Sequence, residues 1–397
     1  MWNLYLSEDV FMYDFLKKSR LVAVVMALTL GLSACSDSDS EALTSLIDDS
    51  SNPYQMLFVS DTKAYILRYG SSDIWVVDPS VLASDEEGFK VGEIDLSAYD
   101  DDRVPQMVAG LIYDNKLFVV MQAMSEDFVP GDAYMAVVDI LTDEEINVDA
   151  NPLKGLALKV KNPVDIDLLG NSIFVTGIGR YGSAPREPEY TGGIEKINLA
   201  DYSSSILVDD GDDTTHRYGQ ISGLSIISDT KAYFTGYSAW QSLSLYEFNP
   251  STGVVVDTAI EGYDAIDIQS MEVSPEGDLW LGIGSFSSPE VHVINSADNT
   301  LIDAISLEKN PTQIKFNATT ASIVGVASDY GSSDISLAEV VSPYSVDLGY
   351  AAQDLSDIVT AIDGNSFYRL GRSSQHSVTQ YSLTNPQVVE WQFSTNP

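Results

Sequence analysis

Short runs of β-branched and aromatic residues recur along the chain from about residue 53 onward, and clusters of Gly, Asn, Asp and Pro separate them. Runs of this length, bounded by turn-forming residues, are typical of short antiparallel strands. No stretch of this region keeps the helical spacing of apolar positions that an amphipathic helix requires. The pattern therefore predicts an all-β domain over residues 53–397.

One strand pattern repeats along this domain. The strand that opens with Lys63-Ala64-Tyr65 has counterparts at successive spacings of 44 to 59 residues, and one hexapeptide is identical at residues 60–65 and 228–233. The counterparts open at Lys116, Ser172, Lys231, Asp278, Ser322 and Ser366. Repeats of this length, each with four strands, are the signature of a β-propeller. We expect a seven-bladed β-propeller of four-stranded antiparallel blades.

The third strand of most units ends on Asp or Asn, where the chain must turn. These residues are Asp78, Asp139, Asn198, Asn249 and Asn295. Residues 246–253 resemble the YVTN-type propeller repeat, and the fourth strand of that unit is expected at residues 253–256. The resemblance covers residues 53–397 and implies the fold rather than a function. The ring closes by packing alone, or residues 42–48 add a strand to the last blade.

The N-terminal segment reads as an export signal. Lys17, Lys18 and Arg20 precede an apolar run at residues 21–30, and Leu-Ser-Ala-Cys follows at residues 32–35. The ending resembles the lipobox of bacterial lipoproteins, which implies cleavage before Cys35 and lipidation of its thiol. We therefore expect a signal peptide over residues 1–35, starting at Met1 or Met12, and a flexible acidic tether over residues 36–52.

The single cysteine and the net charge exclude several kinds of site and partner. Cys35 is the one cysteine in the chain, so an intrachain disulfide and a cysteine-based metal site are excluded. The net charge of −39 excludes nucleic-acid binding and docking on an anionic bilayer. Membrane attachment must then come from the lipid on Cys35. We expect a lipoprotein of the cell envelope at the outer membrane, facing the periplasm or the surface, and monomeric in isolation.

Polar side chains recur near the start of each first strand. They are Gln55, Gln106, Asp165, Gln220, Gln269, Gln313 and Asp357. Equivalent positions of a closed ring share one height, so these side chains are expected around one mouth of the central channel. There they grip a polar ligand or a cation, or they tie each strand to the neighbouring blade or to channel water. Both interpretations remain open.

The loop after each second strand combines Tyr or another aromatic with Gly, Ser and Arg. The candidate ligand-binding residues of these loops are Arg68, Tyr69, Arg180, Tyr181, Tyr237, Trp240, Phe286, Tyr330, Arg369 and Arg372. In a propeller these loops lie on the same face as the polar ring. Aromatic faces with interleaved Arg suit a ligand that carries flat or anionic groups. Alternatively, Gly and Ser form the turns and Tyr packs between blades.

Signals for catalysis are sparse. The three histidines lie in separate units, and no zinc, haem or nucleophile motif occurs. The acidic run at residues 209–213 offers carboxylates for calcium, although its spacing departs from that of an EF-hand loop, and the sequence suggests no other cofactor. We expect a non-enzymatic protein that binds a small molecule or an envelope protein on one propeller face. The alternative is a calcium-dependent hydrolase or lyase that holds the ion through Asp165 and Asp357.

Overall fold

The computed structural model describes most of the chain beyond residue 50. The described residues are 51–81, 86–125, 129–149, 152–182, 187–239, 241–316, 321–327, 333–339, 344, 346–352, 356–360, 366–371, 376–383 and 389–395. One compact unit comprises Ser50–Tyr181 and Pro188–Pro397. A second comprises Met1–Asp49 and Gly182–Glu187, of which the structure describes Gly182 and Glu187. Cys35, the expected signal peptide and residues 36–50 of the tether lie outside the described residues. No described helix is long and apolar enough to cross a membrane.

The first half of the compact unit is built from antiparallel sheets in chain order. The first sheet contains β1 (Pro53–Ser60), β2 (Lys63–Arg68), β3 (Asp73–Val77) and β4 (Lys90–Asp95), with helix α1 (Glu86–Phe89) before β4 and a 3-10 turn (Ser97–Tyr99) after it. The next contains β5 (Met107–Tyr113), β6 (Lys116–Met121), β7 (Tyr134–Asp139), β8 (Glu144–Glu145) and β9 (Leu156–Ala157). A further sheet contains β10 (Pro163–Leu169), β11 (Ser172–Gly177), β12 (Gly193–Asn198) and β13 (Ser204–Val208).

The second half continues in the same way. A three-stranded sheet contains β14 (Gln220–Ile226), β15 (Ala232–Ala239) and β16 (Ser242–Phe248). The next sheet contains β17 (Ile268–Val273), β18 (Leu279–Ile283), β19 (Glu290–Ile294) and β20 (Leu301–Ser306). It is followed by β21 (Asn310–Phe316), β22 (Ala321–Ala327), β23 (Ser333–Glu339) and β24 (Val346–Ala352). The last sheet contains β25 (Ser356–Thr360), β26 (Ser366–Gly371), β27 (Ser377–Ser382) and β28 (Val389–Ser394).

The expectation of seven four-stranded blades is wrong. Among the described residues, six sheets are complete blades, and the sheet of β14–β16 has three strands. Its expected fourth strand at residues 253–256 meets β16 through one isolated bridge, Phe248 to Val255. The chain then turns, with left-handed backbone at Gly262 and Ala265, so β16 is covered by a loop. In the five-stranded sheet, β8 pairs with the end of β7 and β9 pairs with its start, so the outer edge of this sheet is formed by two short strands.

The first strand of each sheet contacts the first strand of the next, and β25 contacts β1, so these strands surround a central channel. Apolar side chains fill the space between sheets. Val120, for example, packs in one cluster with Ile173 of the neighbouring sheet. The last sheet packs on the first through stacked rings of Phe393 and Phe89, with centroids 4.7 Å apart. All four strands of the last sheet come from its own unit, and residues 42–48 lie outside the described residues.

The predicted turn residues do what their side chains allow. Each one accepts a hydrogen bond at Oδ1 from the backbone N–H two residues later, at 2.8 to 3.0 Å. The residues are Asp78, Asp139, Asn198, Asn249 and Asn295. A short polar side chain can thus replace a backbone acceptor and start the turn to the outer strand. The prediction of turns at these positions is confirmed.

The repeated hexapeptide builds the same contact in two places. Tyr65 donates to Asp143 Oδ1 at 2.5 Å, and Lys63 donates to Asp143 Oδ2 at 2.9 Å. Tyr233 and Lys231 donate to Asn299 Oδ1 at 2.6 and 3.0 Å. Asp143 and Asn299 both occupy left-handed turn positions in the following sheet. The hexapeptide therefore fastens one sheet to the turn of the next.

Removing the hydroxyl group of Tyr65 or of Tyr233 should show that the hydrogen bond to the charged Asp143 stabilises the fold more than the bond to the neutral Asn299. We expect Tyr65→Phe to lower the free energy of unfolding by about 2 kcal/mol and Tyr233→Phe by about 1 kcal/mol, because bonds to ionised acceptors are stronger. Tyr113→Phe is the matched control, since Tyr113 is 36% exposed. Urea unfolding at neutral pH measures all three. Equal losses for Tyr65→Phe and Tyr113→Phe would contradict the fastening role.

Candidate functional site

Three members of the expected polar ring bind backbone groups of a neighbouring sheet. Gln55 accepts from Gly110 N at 2.7 Å and donates to Gly110 O at 3.1 Å. Asp165 accepts from Leu224 N at 3.1 Å, and Gln220 donates to the backbone oxygens of Ile178 and Arg180 at 2.8 Å. Gly110 allows the first sheet to approach closely, because an added Cβ would lie 3.1 Å from a methyl group of Leu57 and 3.2 Å from one of Leu67. Gln55 and Asp165 thus fasten neighbouring first strands to one another, and Gln220 fastens β14 to the loop after β11.

The other ring members are placed differently. Gln106 accepts from Met124 N at 2.7 Å, in its own sheet's loop, and Gln269 donates to Asp267 Oδ1 at 2.5 Å. Gln313 is half-buried on β21, and Asp357 lies on β25. The predicted ring residues thus occupy equivalent positions in their sheets, but the hydrogen bonds described for them go to different kinds of partner.

The channel contains a group of titratable side chains beside Asp165. Asp167 accepts from Ile226 N at 3.0 Å, and Lys315 donates to Glu272 Oε2 at 3.0 Å. Burial, and then the charge of Asp167, raises the pKa of Asp165 to about 7. Burial likewise raises the pKa of Asp167 to about 6. Both carboxyl groups therefore change charge close to neutral pH.

The loop arginines are engaged by the protein. Arg68 is 1% exposed, and its guanidinium lies 2.8 Å from Asp73 Oδ2. Arg180 pairs with Glu189 at 2.6 Å, and Arg369 is buried. Arg372 lies outside the described residues. The described arginines of these loops therefore do not form an open cationic surface.

Four tyrosines from three sheets converge at the loop end of the channel, and we call them the tyrosine cluster: Tyr54, Tyr69, Tyr181 and Tyr237. The rings of Tyr54 and Tyr69 stack with centroids 5.5 Å apart, and those of Tyr181 and Tyr237 meet edge to face at 5.2 Å. Tyr54 lies at the start of β1, and Tyr237 is opposite Gln220, the first residue of β14, so both pairs lie at the same end of the sheets.

The tyrosine cluster combines partly exposed ring surface with one hydroxyl group, that of Tyr69, held by a hydrogen bond. Tyr181 is 46% exposed, and the other three rings are half-buried. Tyr69 donates to Gln122 Oε1 at 3.2 Å, and Gln122 donates in turn to Pro163 O at 3.0 Å. Tyr54 and Gln122 are not among the residues predicted from the sequence. Tyr54 directly precedes the ring residue Gln55, and Gln122 follows a second strand, which were the available signals.

The remaining aromatic candidates do not enlarge the cluster. Trp240 and Tyr330 lie outside the described residues. Phe286 is 95% exposed in its own loop. The acidic run at residues 209–213 contributes to a separate pocket with Glu189 and Tyr190. Among the described residues, no group of three or more His, Cys, Asp or Glu side chains is arranged to hold a metal ion.

Solved structures with the same architecture define the class of protein. A structure of streptogramin B lyase has a TM-score of 0.53 at 12% identity, covering 82% of this chain and 92% of that chain. Virginiamycin B lyase from Staphylococcus aureus has a TM-score of 0.53 at 13% identity, covering 82% and 94%. A complex of KlAtg21 with the coiled coil of AgAtg16 has a TM-score of 0.54 at 10% identity, covering 86% and 99%.

No family model matches the sequence, and no curated protein is similar to it. Identities of 10 to 13% show the fold alone. The chain is therefore a β-propeller protein, similar in fold to lyases and to a propeller that was solved with a coiled-coil partner. Its function has to be argued from its own residues.

Proposed function

We propose that the protein is a non-enzymatic, acyl-anchored binding protein of the cell envelope that holds a small, flat, uncharged ligand on the tyrosine cluster. The observation that supports this proposal is that two tyrosine pairs, with all four rings partly exposed, lie at the same end of the sheets. Tyrosine rings offer apolar faces for a flat ligand, and their hydroxyl groups orient it by hydrogen bonds. A protein partner on the same face is the second candidate.

The preference for an uncharged ligand follows from the arginines. The guanidinium of Arg68 forms an ion pair with Asp73, and that of Arg180 forms one with Glu189. An anionic ligand would have to displace a carboxylate from either one, in a protein whose net charge is already −39. The surrounding negative potential would also repel it.

The anchor is proposed from the N-terminal sequence. Three basic residues, an apolar run and Leu-Ser-Ala before Cys35 support lipidation there. Several acyl chains on one cysteine hold a protein at a membrane stably. The proposed location is the outer membrane.

Mass spectrometry of the protein purified from its own host's membranes tests both parts. We expect an N-terminal peptide that starts at an acylated Cys35, and a small molecule that remains bound in native spectra. An unmodified Cys35 would contradict the anchor. A bare mass would favour the protein partner, and a bound calcium ion would favour the alternative hydrolase or lyase. In that alternative, alanine at Asp165 and Asp357 abolishes calcium binding.

Variants of the tyrosine cluster test the binding face. We expect Tyr69→Ala and Tyr181→Ala each to lower the affinity for the co-purified ligand about tenfold or more, since central aromatic residues dominate binding energies. Tyr113→Ala is the matched control, because Tyr113 is 36% exposed at the β5–β6 hairpin, at the other end of the strands. Isothermal titration calorimetry gives the affinities. Normal binding by both cluster variants would contradict the assignment of this face.

A further inference from the structure

A second concave site lies outside the tyrosine cluster, beside β12 and the acidic run. Its volume is about 440 Å³, and its lining residues are Glu189, Tyr190, Thr191, Asp212, Asp213 and Thr214. Carboxylates form half of this lining, and one of them, Glu189, is paired with Arg180 at 2.6 Å. We call it the acidic pocket. It is large enough for a small organic molecule rather than a bare ion.

An aromatic pair forms one wall of the acidic pocket. The rings of Tyr190 and His216 stack with centroids 4.3 Å apart and planes 8° apart. His216 Nδ1 lies 3.0 Å from Asp212 O, which fixes the imidazole relative to the acidic run. Tyr190 therefore has one ring face against His216 and is half-buried. The face of an electron-rich ring attracts cations.

One carboxylate of this lining, that of Asp213, is open to a ligand. Asp213 is exposed and makes no hydrogen bond or ion pair with another described residue. Asp210 does not line the pocket; it is 1% exposed, and its Oδ2 accepts from Gly192 N at 3.1 Å. Burial raises the pKa of Asp210 to about 7, so Asp213 is the stronger source of negative charge beside Tyr190.

We propose that the acidic pocket binds a small organic cation of the alkylammonium class. The cation lies against the ring of Tyr190, with the carboxylate of Asp213 beside it. A metal ion fits less well, because the described residues offer no group of three ligating side chains. The acidic surface of the protein concentrates cations at such a site. This binding is independent of the ligand on the tyrosine cluster.

Choline and its neutral isostere, in which a tert-butyl group replaces the trimethylammonium, provide the direct test on the full-length protein. The two molecules share shape and differ in charge. We expect choline to bind about tenfold more tightly, since a cation on an aromatic face beside a carboxylate gains on the order of 1 to 2 kcal/mol. The imidazole NMR signal of His216 should shift with choline and saturate. Only three histidines are present, so this signal can be assigned by substitution.

Variants distinguish the acidic pocket from the general field of the protein. Asp213→Asn should lower the affinity for choline about threefold to tenfold. Tyr190→Leu should abolish the saturable shift of the His216 signal, whereas Tyr190→Phe should retain it. Asp61→Asn is the matched control, because it removes the same charge from an exposed turn elsewhere. Equal affinity for choline and its isostere would overturn the proposal. So would equal losses in Asp213→Asn and Asp61→Asn, with unchanged melting temperatures excluding unfolding.

Discussion

Replacing Asp165 by asparagine is expected to flatten the pH dependence of stability of the propeller. Burial raises the pKa of Asp165 to about 7 from its ordinary 3.8. A carboxyl group with a higher pKa in the folded state binds a proton there at pH values where the unfolded chain has released it. The folded state is therefore favoured at about pH 4, and it loses stability as the pH rises towards 7.

The size of this effect follows from the pKa difference. About three pH units correspond to roughly 4 kcal/mol at an isolated site. Asp167, whose pKa is about 6, titrates in the same range and shares the effect, so we expect about 2 to 4 kcal/mol. Asparagine has no proton to release, but it keeps one acceptor oxygen where Asp165 uses two, for Ile166 N and Leu224 N. The lost bond costs about 1 kcal/mol at every pH.

Loss of the titrating carboxyl group stabilises the variant at high pH, and loss of one hydrogen bond destabilises it at every pH. The curves of unfolding free energy against pH for variant and parent should therefore cross. Asp165→Asn should be less stable than the parent near pH 3, where the carboxyl group is protonated in both states, and more stable near pH 8. Urea unfolding followed by tryptophan fluorescence at a series of pH values measures the difference. Asp61→Asn, on an exposed turn, should run parallel to the parent. A parallel curve for Asp165→Asn would show that this carboxyl group is already ionised in the acid range.

The parts of the fold that were predictable are those encoded within a few residues. An Asp or Asn side chain that accepts a hydrogen bond from the backbone N–H two residues later forms its turn through local contacts alone, as Asn249 and Asn295 show. The repeated strand opening was visible for a related reason. The hexapeptide keeps its sequence because Tyr65 and Tyr233 each meet a turn of the next sheet.

Strand number per sheet was not predictable from local pattern. Residues 254–256 are all valine, which favours a strand, yet they form one bridge with β16. Val254 is 67% exposed and Val256 is 50% exposed, so the outer edge of this sheet offers no apolar surface to bury them. Propensity describes how a residue fits a strand, while pairing depends on where the following loop leads.

The candidate site was predictable in its tyrosines and not in its arginines. Tyr69, Tyr181 and Tyr237 occupy the same loop of related units, and the symmetry of a ring brings them to one face. The partner of Arg68 is Asp73 in its own loop, and the partner of Arg180 is Glu189 nine residues later. A repeat pattern locates a side chain in the fold, but it does not show whether a neighbouring carboxylate neutralises the charge.

The ion pair of Arg68 leads to the second large prediction. Arg68 is 1% exposed, its guanidinium lies 4.5 Å from the ring centroid of Trp75, and Asp73 Oδ2 is 2.8 Å away. Arg68→Ala would leave the carboxylate of Asp73 largely enclosed without its cation and remove the packing on Trp75. Breaking a buried pair by removing one partner costs about 3 to 5 kcal/mol. We expect a loss of about 3 kcal/mol, because the side chain of Asp73 keeps 19% exposure.

An exposed pair in the same protein provides the control. Arg217 and Asp257 lie 2.8 Å apart with side chains 52% and 72% exposed, and Arg217→Ala should cost less than about 0.5 kcal/mol. The double variant Arg68→Met with Asp73→Leu should recover much of the stability, since it leaves no unpaired charge. Urea unfolding at neutral pH measures the free energy for each. If Arg68→Ala retained parental stability but lost the ligand, Arg68 would be a binding residue, and the proposed ligand would carry a negative charge.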